Sequence, residues 1–353
     1  MTARGTDWSL ALLVSLLFAS GLGTWFAGDE SDAWVFAAHG IVGASLAILL
    51  VWKLRRVWRR IVRPDLWDRR TVSSAAALLL VTATVVSGWL WVSAGSLYAG
   101  GFSVLFWHAA LGGVLTLAVL IHLLLRAKRP RRRDLASRRQ LFEGAAIAVA
   151  GFAAWRLQGA FNSALNLPGE RRRFTGSYEA DSFEGNAFPT TSWVADDPRR
   201  LESATYALRV DGLVDRPLEL TLDDLQAGDE LDATLDCTGG FYSTQHWRGV
   251  ELARLLHRAR PTTDAGHVRV ISHTGYRWSF SLDDASGLLL ATDVGDEALS
   301  HDHGAPLRLV APGRRGFQWV KWVTRLELSA DSDYAAPAST IWSSFTAAGR
   351  GNA

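Results

Sequence analysis

The sequence predicts an N-terminal all-α transmembrane helical bundle of five spans, followed by a C-terminal α+β globular domain. Three observations carry that prediction. Residues 1–157 hold long apolar runs broken by basic loops, whereas residues from about 158 onward have the mixed charge of a soluble domain. The basic residues of the first half gather in alternate loops only. The second half carries many short strand-like runs and few helical patches, a pattern of mostly antiparallel pairing. At 353 residues the chain has room for two or three domains, and its formal net charge of +2 selects no class of partner. No nucleic-acid partner is expected.

Four runs are long enough to span a hydrocarbon core of roughly 30 Å: Trp8–Phe26, Ala33–Trp52, Ser73–Val92 and Phe102–Leu125. A fifth, Leu141–Trp155, is shorter and richer in Ala and Gly. Trp8, Trp25, Trp34, Trp52, Trp89 and Trp91 lie near run ends, where an interfacial aromatic belt places them. The expected organisation is a four-span bundle over 1–126, a basic loop with the fifth span over 127–157, and a linker over 158–185. The globular domain then takes 186–330, with a tail over 331–353.

The loop Lys53–Arg70 has eight Lys/Arg against two acids, and Arg126–Gln140 has eight against one. The loops Ala27–Asp32 and Ser93–Gly101 have no Lys or Arg. The positive-inside rule then puts the N-terminus and both basic loops in the cytoplasm, and five spans put the C-terminal domain outside. Within the second basic loop, "SRRQLF" (residues 137–142) has the look of a twin-arginine export signal, with Arg138-Arg139 running into an apolar stretch. The plainer reading makes the pair two more topogenic charges. A cargo that must fold before it crosses would decide for the signal.

Strand-like runs follow at Tyr206–Val214, Leu218–Leu225, Asp232–Leu235, Val268–Ser272, Trp278–Ser281 and Leu307–Val310, with a last alternating run at Gln318–Leu328. Val250–Arg258 is the clearest helical patch. The single cysteine, Cys237, excludes an intramolecular disulfide, a CxxCH haem attachment and a four-cysteine iron–sulfur cluster.

At "VDGLVDRPLELTLDDL", "LDCTGGFYSTQHWRGVELARLL" and "HGAPLRLVAPGRRGFQWVKWVTRLEL" the chain resembles the sulfite-oxidase-type molybdopterin-binding domain. In pattern it is nearest the catalytic subunits of periplasmic methionine sulfoxide reductases. The resemblance covers roughly Asn186–Leu328. It implies that Cys237 ligates molybdenum, and soft thiolate ligation suits a metal already held by dithiolene sulfurs. It further implies that His303, Arg308, Lys321 and the backbone of Trp319-Val320 contact the pterin, with Ser272, Asn186 and Thr190 at other matching positions. Tyr242 and His246 fall near the expected substrate funnel, and His257, His267 and His301 read as surface residues. Sulfite oxidases present arginines soon after the ligand cysteine. Here the run Thr238–Tyr242 is neutral, with Arg248, Arg314 and Arg315 as the arginines that could reach the pocket from elsewhere. A molybdopterin cargo is loaded in the cytoplasm and crosses folded, which favours an internal twin-arginine signal.

Three histidines lie within the spans: His39 in the second, His108 and His122 in the fourth. Ionisable residues in hydrocarbon are functional candidates. His39 and His108 each stand six residues into a span, so they lie at similar depth near the outer face. This arrangement resembles the di-histidine cytochrome b subunits of membrane oxidoreductases, which implies one b-type haem. His122 faces Lys53 rather than a second histidine at its level, so no inner haem is expected; the alternative is that the histidines hydrogen-bond across helices. The functional expectation is a membrane-anchored molybdoenzyme performing oxygen-atom transfer, with membrane lipid, a quinone and an oxidised-sulfur substrate as partners. Its rivals are a sulfite-type dehydrogenase and a non-catalytic membrane module.

Overall fold

Four helices are long and apolar enough to cross a membrane among the described residues of the computed structural model, which are 2–63, 65, 67, 69–126, 138–191, 196 and 198–343. These are α1 (Ala3–Gly23), α2 (Ala33–Ile61), α3 (Arg69–Ser93) and α4 (Val104–Arg126). Helix α2 runs nine residues beyond the expected Trp52, because Lys and Arg propagate a helix well. Helix α4 starts at Val104, two residues late. Phe102–Ser103 instead pairs with Tyr98–Ala99 across Gly100-Gly101, whose φ values of 59° and 82° suit a two-residue hairpin turn.

The expected fifth span lies within a longer helix, α5 (Arg138–Ala164), which takes in the first residues of the expected linker. It does not reach the length and apolarity of the other four. Its central stretch is rich in Ala and Gly, with Arg138, Arg139 and Glu143 at one end and Arg156, Gln158 and Asn162 towards the other. The five-span expectation is therefore corrected to four apolar helices plus one long helix of mixed polarity. The rest of the basic loop, residues 127–137 including Ser137, and the tail residues 344–353 lie outside the described residues.

The chain divides into two compact units, Met1–Tyr178 and Glu179–Ala353. In the first, Val14, Leu46, Val81 and Leu115 form one buried layer with a residue from each of α1–α4. Helix α5 packs on α2 at a small-residue seam: a Cβ on Gly151 would stand 2.0 Å from the Ser45 hydroxyl and 2.9 Å from the Ile41 carbonyl. Leu79, Leu124 and Val149 are about 70% exposed or more, an apolar exterior that suits lipid rather than water.

The second unit holds two sheets. In one, β1 (Ala207–Gly212), β2 (Leu218–Thr221), β5 (His267–Ser272), β6 (Arg277–Ser281) and β9 (Val323–Ser329) lie in the order β2-β1-β9-β5-β6. Only β1 and β9 run parallel. In the other, β4 (Phe241–Glu251) pairs with β3 (Asp229–Asp236) and with β7 (Leu289–Val294), and β7 pairs with β8 (Arg308–Val310). Helix α6 (Leu252–Ala259) follows β4 directly and buries Leu252, Leu255, Leu256 and Ala259; α7 (Ala336–Ser343) ends the described chain. The core is made by Leu208, Val210, Val268, Val270, Leu290, Leu309 and Leu326. The long strand β4 and the strand β7 are absent from the expected runs. On β4 the inward positions are Phe241, Ser243, Gln245 and Trp247, so polar residues hide the period of two. In β7 almost every residue is buried, so no alternation exists to read.

Candidate active site

Cys237 closes β3 and opens a tight reversal into β4. Its N–H donates to the Phe241 carbonyl (2.8 Å), and its carbonyl accepts the Gly240 N–H (3.0 Å), with Gly240 at φ 102°. The chain then reverses in register, Asp236 opposite Tyr242. The thiol is 8% exposed. Its Sγ accepts the Gly239 N–H at 3.3 Å and lies 3.2 Å from the Thr191 hydroxyl. The backbone is fixed from the other side. Arg315 donates to Asp236 (2.6 Å) and to the Cys237 carbonyl (3.3 Å), all of it buried. A Cβ on Gly316 would stand 3.0 Å from the Cys237 Cα.

Opposite stands a cationic wall. Arg308 is 1% exposed, its guanidinium 5.0 Å from the Trp247 ring centre and 5.8 Å from that of Trp319. It donates to the His303 carbonyl at 2.9 Å. Among the described residues its Nε has no hydrogen-bond partner, and no carboxylate pairs with it. Burial pushes its pKa down to about 9, opposed by the nearby Cys237 sulfur. Lys321 donates to the carbonyls of Thr191 (3.0 Å) and Asp302 (2.6 Å). Burial, and then the Arg308 charge, lower its pKa to about 7. Gly304, at φ 110°, lets the two cationic side chains converge: a Cβ there would stand 3.0 Å from that of Lys321 and 3.1 Å from that of Arg308. Thr191 joins the two halves, its hydroxyl at the sulfur and its carbonyl at the Lys321 ammonium.

His303 is buried and held at both nitrogens, Nδ1 at the Ser300 hydroxyl (2.7 Å) and Nε2 at the Phe188 carbonyl (2.9 Å). Burial, with Arg308 and Lys321 nearby, lowers its pKa to about 4, so it is neutral at physiological pH. A buried guanidinium without a counter-ion is costly by itself. Beside a lone thiol and a second depressed cation, it suits an anionic group that carries both sulfur-bound metal and phosphate. The residues present therefore fit a molybdenum–molybdopterin group.

Residues 195–336 are a molybdopterin-binding oxidoreductase domain of the sulfite-oxidase-like type. The family model "Oxidoreductase molybdopterin binding domain" matches residues 195–336. Curated relatives include the NADPH nitrate reductase of Neurospora crassa, 28% identical, covering 40% of this chain and 19% of that one. That of Aspergillus niger is 32% identical, covering 36% and 18%. The chain thus spans under a fifth of the length of these relatives. Among solved structures, the sulfane dehydrogenase SoxCD of Paracoccus pantotrophus aligns over 38% of this chain and 40% of its own, with 28% identity and a TM-score of 0.36.

Several expected site residues fall elsewhere than at the sulfur. Asn186 ties loops together, donating to Ala298 O (2.9 Å) and accepting the Ser300 N–H (2.8 Å), so it supports the segment that carries His303. Thr190 is exposed, and its neighbour Thr191 is the residue that reaches Cys237. Ser272 is buried, its hydroxyl accepting from the N–H and hydroxyl of Thr274. Trp319 packs beside Arg308, and its indole donates to Arg314 O. The Val320 carbonyl accepts the Leu309 N–H. His246 and Tyr242 share the outer face of β4, where His246 meets Asp232 (2.7 Å) and Glu230. The sequence reading also missed Thr191, Trp247 and the Asp236–Arg315 pair. Adjacency to Cys237 was the available signal for Asp236.

In the first unit, His39 and His108 come together, their ring centroids 6.1 Å apart. His39 Nδ1 lies 2.9 Å from the Ser20 hydroxyl, and His108 Nδ1 lies 2.9 Å from the Thr84 carbonyl. Neither Nε2 has a hydrogen-bond partner among the described residues. His122 is exposed on α4, and Lys53 pairs with Asp7 at 2.9 Å.

Proposed function

We propose that the chain is a membrane-anchored, molybdenum-dependent oxidoreductase performing oxygen-atom transfer outside the cytoplasmic membrane, reducing a sulfoxide-type substrate with electrons from the quinone pool. The observation that carries this reading is the buried, carboxylate-free Arg308 standing in the same pocket as the chain's one thiol. When bound, the molybdenum group supplies a two-electron centre able to give up or accept one oxygen atom. The chain's own residues hold it. Cys237 would ligate the metal, with the Gly239 N–H and the Thr191 hydroxyl placed at its sulfur. Arg308 and Lys321 neutralise and orient the anionic part. Trp247 and Trp319 flank the guanidinium and keep water from it, which strengthens its pull on an anion. His303, neutral and held at both nitrogens, fixes the loop on which that wall is built.

A neutral oxide is favoured over an oxyanion because the loop Thr238–Tyr242 is uncharged. The remaining candidate arginines also meet carboxylates: Arg315 meets Asp236, Arg314 meets Asp284 at 3.0 Å, and Arg248 meets Glu230 at 3.3 Å. This speaks against an anionic substrate such as sulfite or nitrate and for a neutral oxide such as a sulfoxide. His39 on α2 and His108 on α4 would hold a b-type haem, which would supply an electron carrier within the bundle. The alternate basic loops favour an N-terminus inside, so the domain lies outside only with α5 as a fifth crossing; Arg138-Arg139, the first two residues of α5, act as the internal export signal that carries α5 and the folded domain across.

Metal analysis of the purified full chain tests the first claim, with close to one molybdenum per chain expected. Following the oxidation state of that metal while offering methionine sulfoxide, dimethyl sulfoxide, sulfite and nitrate tests the second. Turnover of sulfite or nitrate alone would reject the sulfoxide assignment and leave the molybdoenzyme.

A further inference from the structure

The four bundle helices bring more to the histidine pair than two rings. One heptad from the apolar layer of Leu46 and Leu115, about 10 Å along the helix axes, lies a polar layer with Ser20 from α1, His39 from α2, Thr84 and Gly88 from α3, and His108 from α4. With a metal–nitrogen bond of about 2 Å on each side and the rings' own radius added, two imidazoles on one ion stand roughly 6 Å apart between centres. The observed separation is 6.1 Å. The ring planes are inclined at 83°.

We propose that the bundle binds its haem with the two axial imidazole planes nearly perpendicular, and that Ser20 is the positioning residue that sets the donor strength of His39. The proposal rests on the haem reading given above. Ligation through Nε2 leaves each ring free to turn about the iron–nitrogen bond, so the partner of Nδ1 decides the plane. The two partners come from different helices. His108 is held by the backbone of α3: its Nδ1 donates to the Thr84 carbonyl, and a Cβ on Gly88 would stand 2.8 Å from its Cε1 and 3.1 Å from its Nδ1. That close seat prevents rotation. His39 is held from α1, where the Ser20 hydroxyl stands at its Nδ1 and itself donates to the Leu17 carbonyl at 3.2 Å. The Ser20 oxygen is thereby left as an acceptor for the His39 Nδ1–H, beside the Leu17 carbonyl that the imidazole also reaches, and Nε2 keeps its lone pair for the metal.

A relay of Nδ1–H to hydroxyl to carbonyl polarises along its length and makes the imidazole a stronger donor. A stronger donor stabilises ferric over ferrous iron and lowers the midpoint potential. His108 has the same kind of bond to a backbone carbonyl that no substitution removes, with the Ser87 hydroxyl only a longer contact at that nitrogen, 3.4 Å away. Ser20, whose hydroxyl stands at 2.9 Å from His39 Nδ1, is thus the more adjustable side-chain partner.

Purified full-length protein in detergent, frozen in the ferric state, gives the test. Perpendicular imidazoles leave the two iron dπ orbitals nearly equal in energy, so the low-spin electron paramagnetic resonance signal is strongly anisotropic, with one dominant low-field feature. A rhombic three-line spectrum, the mark of near-parallel rings, overturns the orientation. Ser20→Ala keeps haem and moves the potential upward, and Ser20→Thr restores it. A potential unchanged in Ser20→Ala, or not restored in Ser20→Thr, overturns the role of Ser20. Protein without any haem absorbance overturns this proposal together with the haem reading, whereas haem-bearing protein with a rhombic signal overturns this proposal alone.

Discussion

Replacing Arg308 by methionine separates the cost of the cationic wall from its use. The guanidinium is fully buried, and burial lowers its pKa to about 9, so carrying its charge costs on the order of several kcal/mol in the cofactor-free domain. The folded pKa lies below the unfolded one, so this penalty is complete at neutral pH and is relieved only as pH rises through about 9. The hydrogen bond to the His303 carbonyl and the contacts with Trp247 and Trp319 return part of that cost. Methionine fills similar space with no charge, and exchanges of this kind stabilise by about 1–4 kcal/mol. For a unit of this size that is a rise in melting temperature of about 2–4 °C per kcal/mol. The full chain is produced with and without molybdenum cofactor, and the domain's thermal unfolding is followed by tryptophan fluorescence. Cofactor-free Arg308→Met should melt higher than cofactor-free wild type, yet retain almost no molybdenum. A variant that melts lower without cofactor and still holds the metal would refute the idea that Arg308 is kept, at a cost, to bind an anion.

Cys237→Ser should leave the domain folded and reduce oxygen-atom transfer to background, because a hydroxyl is a poor soft-metal ligand; full turnover would reject the ligand assignment. Lys321, with its pKa lowered to about 7, should lose its proton in the cofactor-free chain as pH passes through neutrality. Its folded pKa lies below the unfolded value, so cofactor-free stability should rise from about pH 7 upward, while phosphate affinity falls over the same range. Lys321→Met should flatten both profiles, as read by melting and by phosphate titration. Changing Arg138 and Arg139 together to lysine keeps the positive charge in the loop. If the pair is an export signal, external protease should no longer reach the C-terminal domain in intact cells, whereas unchanged cleavage would leave only topogenic charges.

The four apolar helices were legible because their defining property is one a linear pattern can display. A run of about 20 apolar residues is a local property, and Val14, Leu46, Val81 and Leu115 sit inside such runs. The failure at α5 has the same cause: an Ala- and Gly-rich core flanked by Arg138, Arg156 and Asn162 packs as a long helix without being apolar enough to match the others. In the globular unit, alternation exposed β1 and β5. It concealed β4, whose inward Ser243 and Gln245 bond to each other at 2.8 Å, and to Asp181 O, instead of to water.

By itself the sequence determined that this protein has an apolar helical half and a globular half with one thiol in a molybdopterin-type motif, because these follow from composition and from residues close in the chain. Only the tertiary structure decided which side chains meet. Thr191 rather than Thr190 reaches the Cys237 sulfur, although 46 residues separate them. Arg315 turns from the pocket to Asp236 across 79 residues. His246 faces outward because β4 alternates. Arg308 lies buried with its guanidinium 5.0 Å from the Trp247 ring centre and 5.8 Å from that of Trp319, residues brought to it from other parts of the chain. Burial, charge compensation and ring orientation are properties of neighbours, and most of these neighbours are far away in sequence.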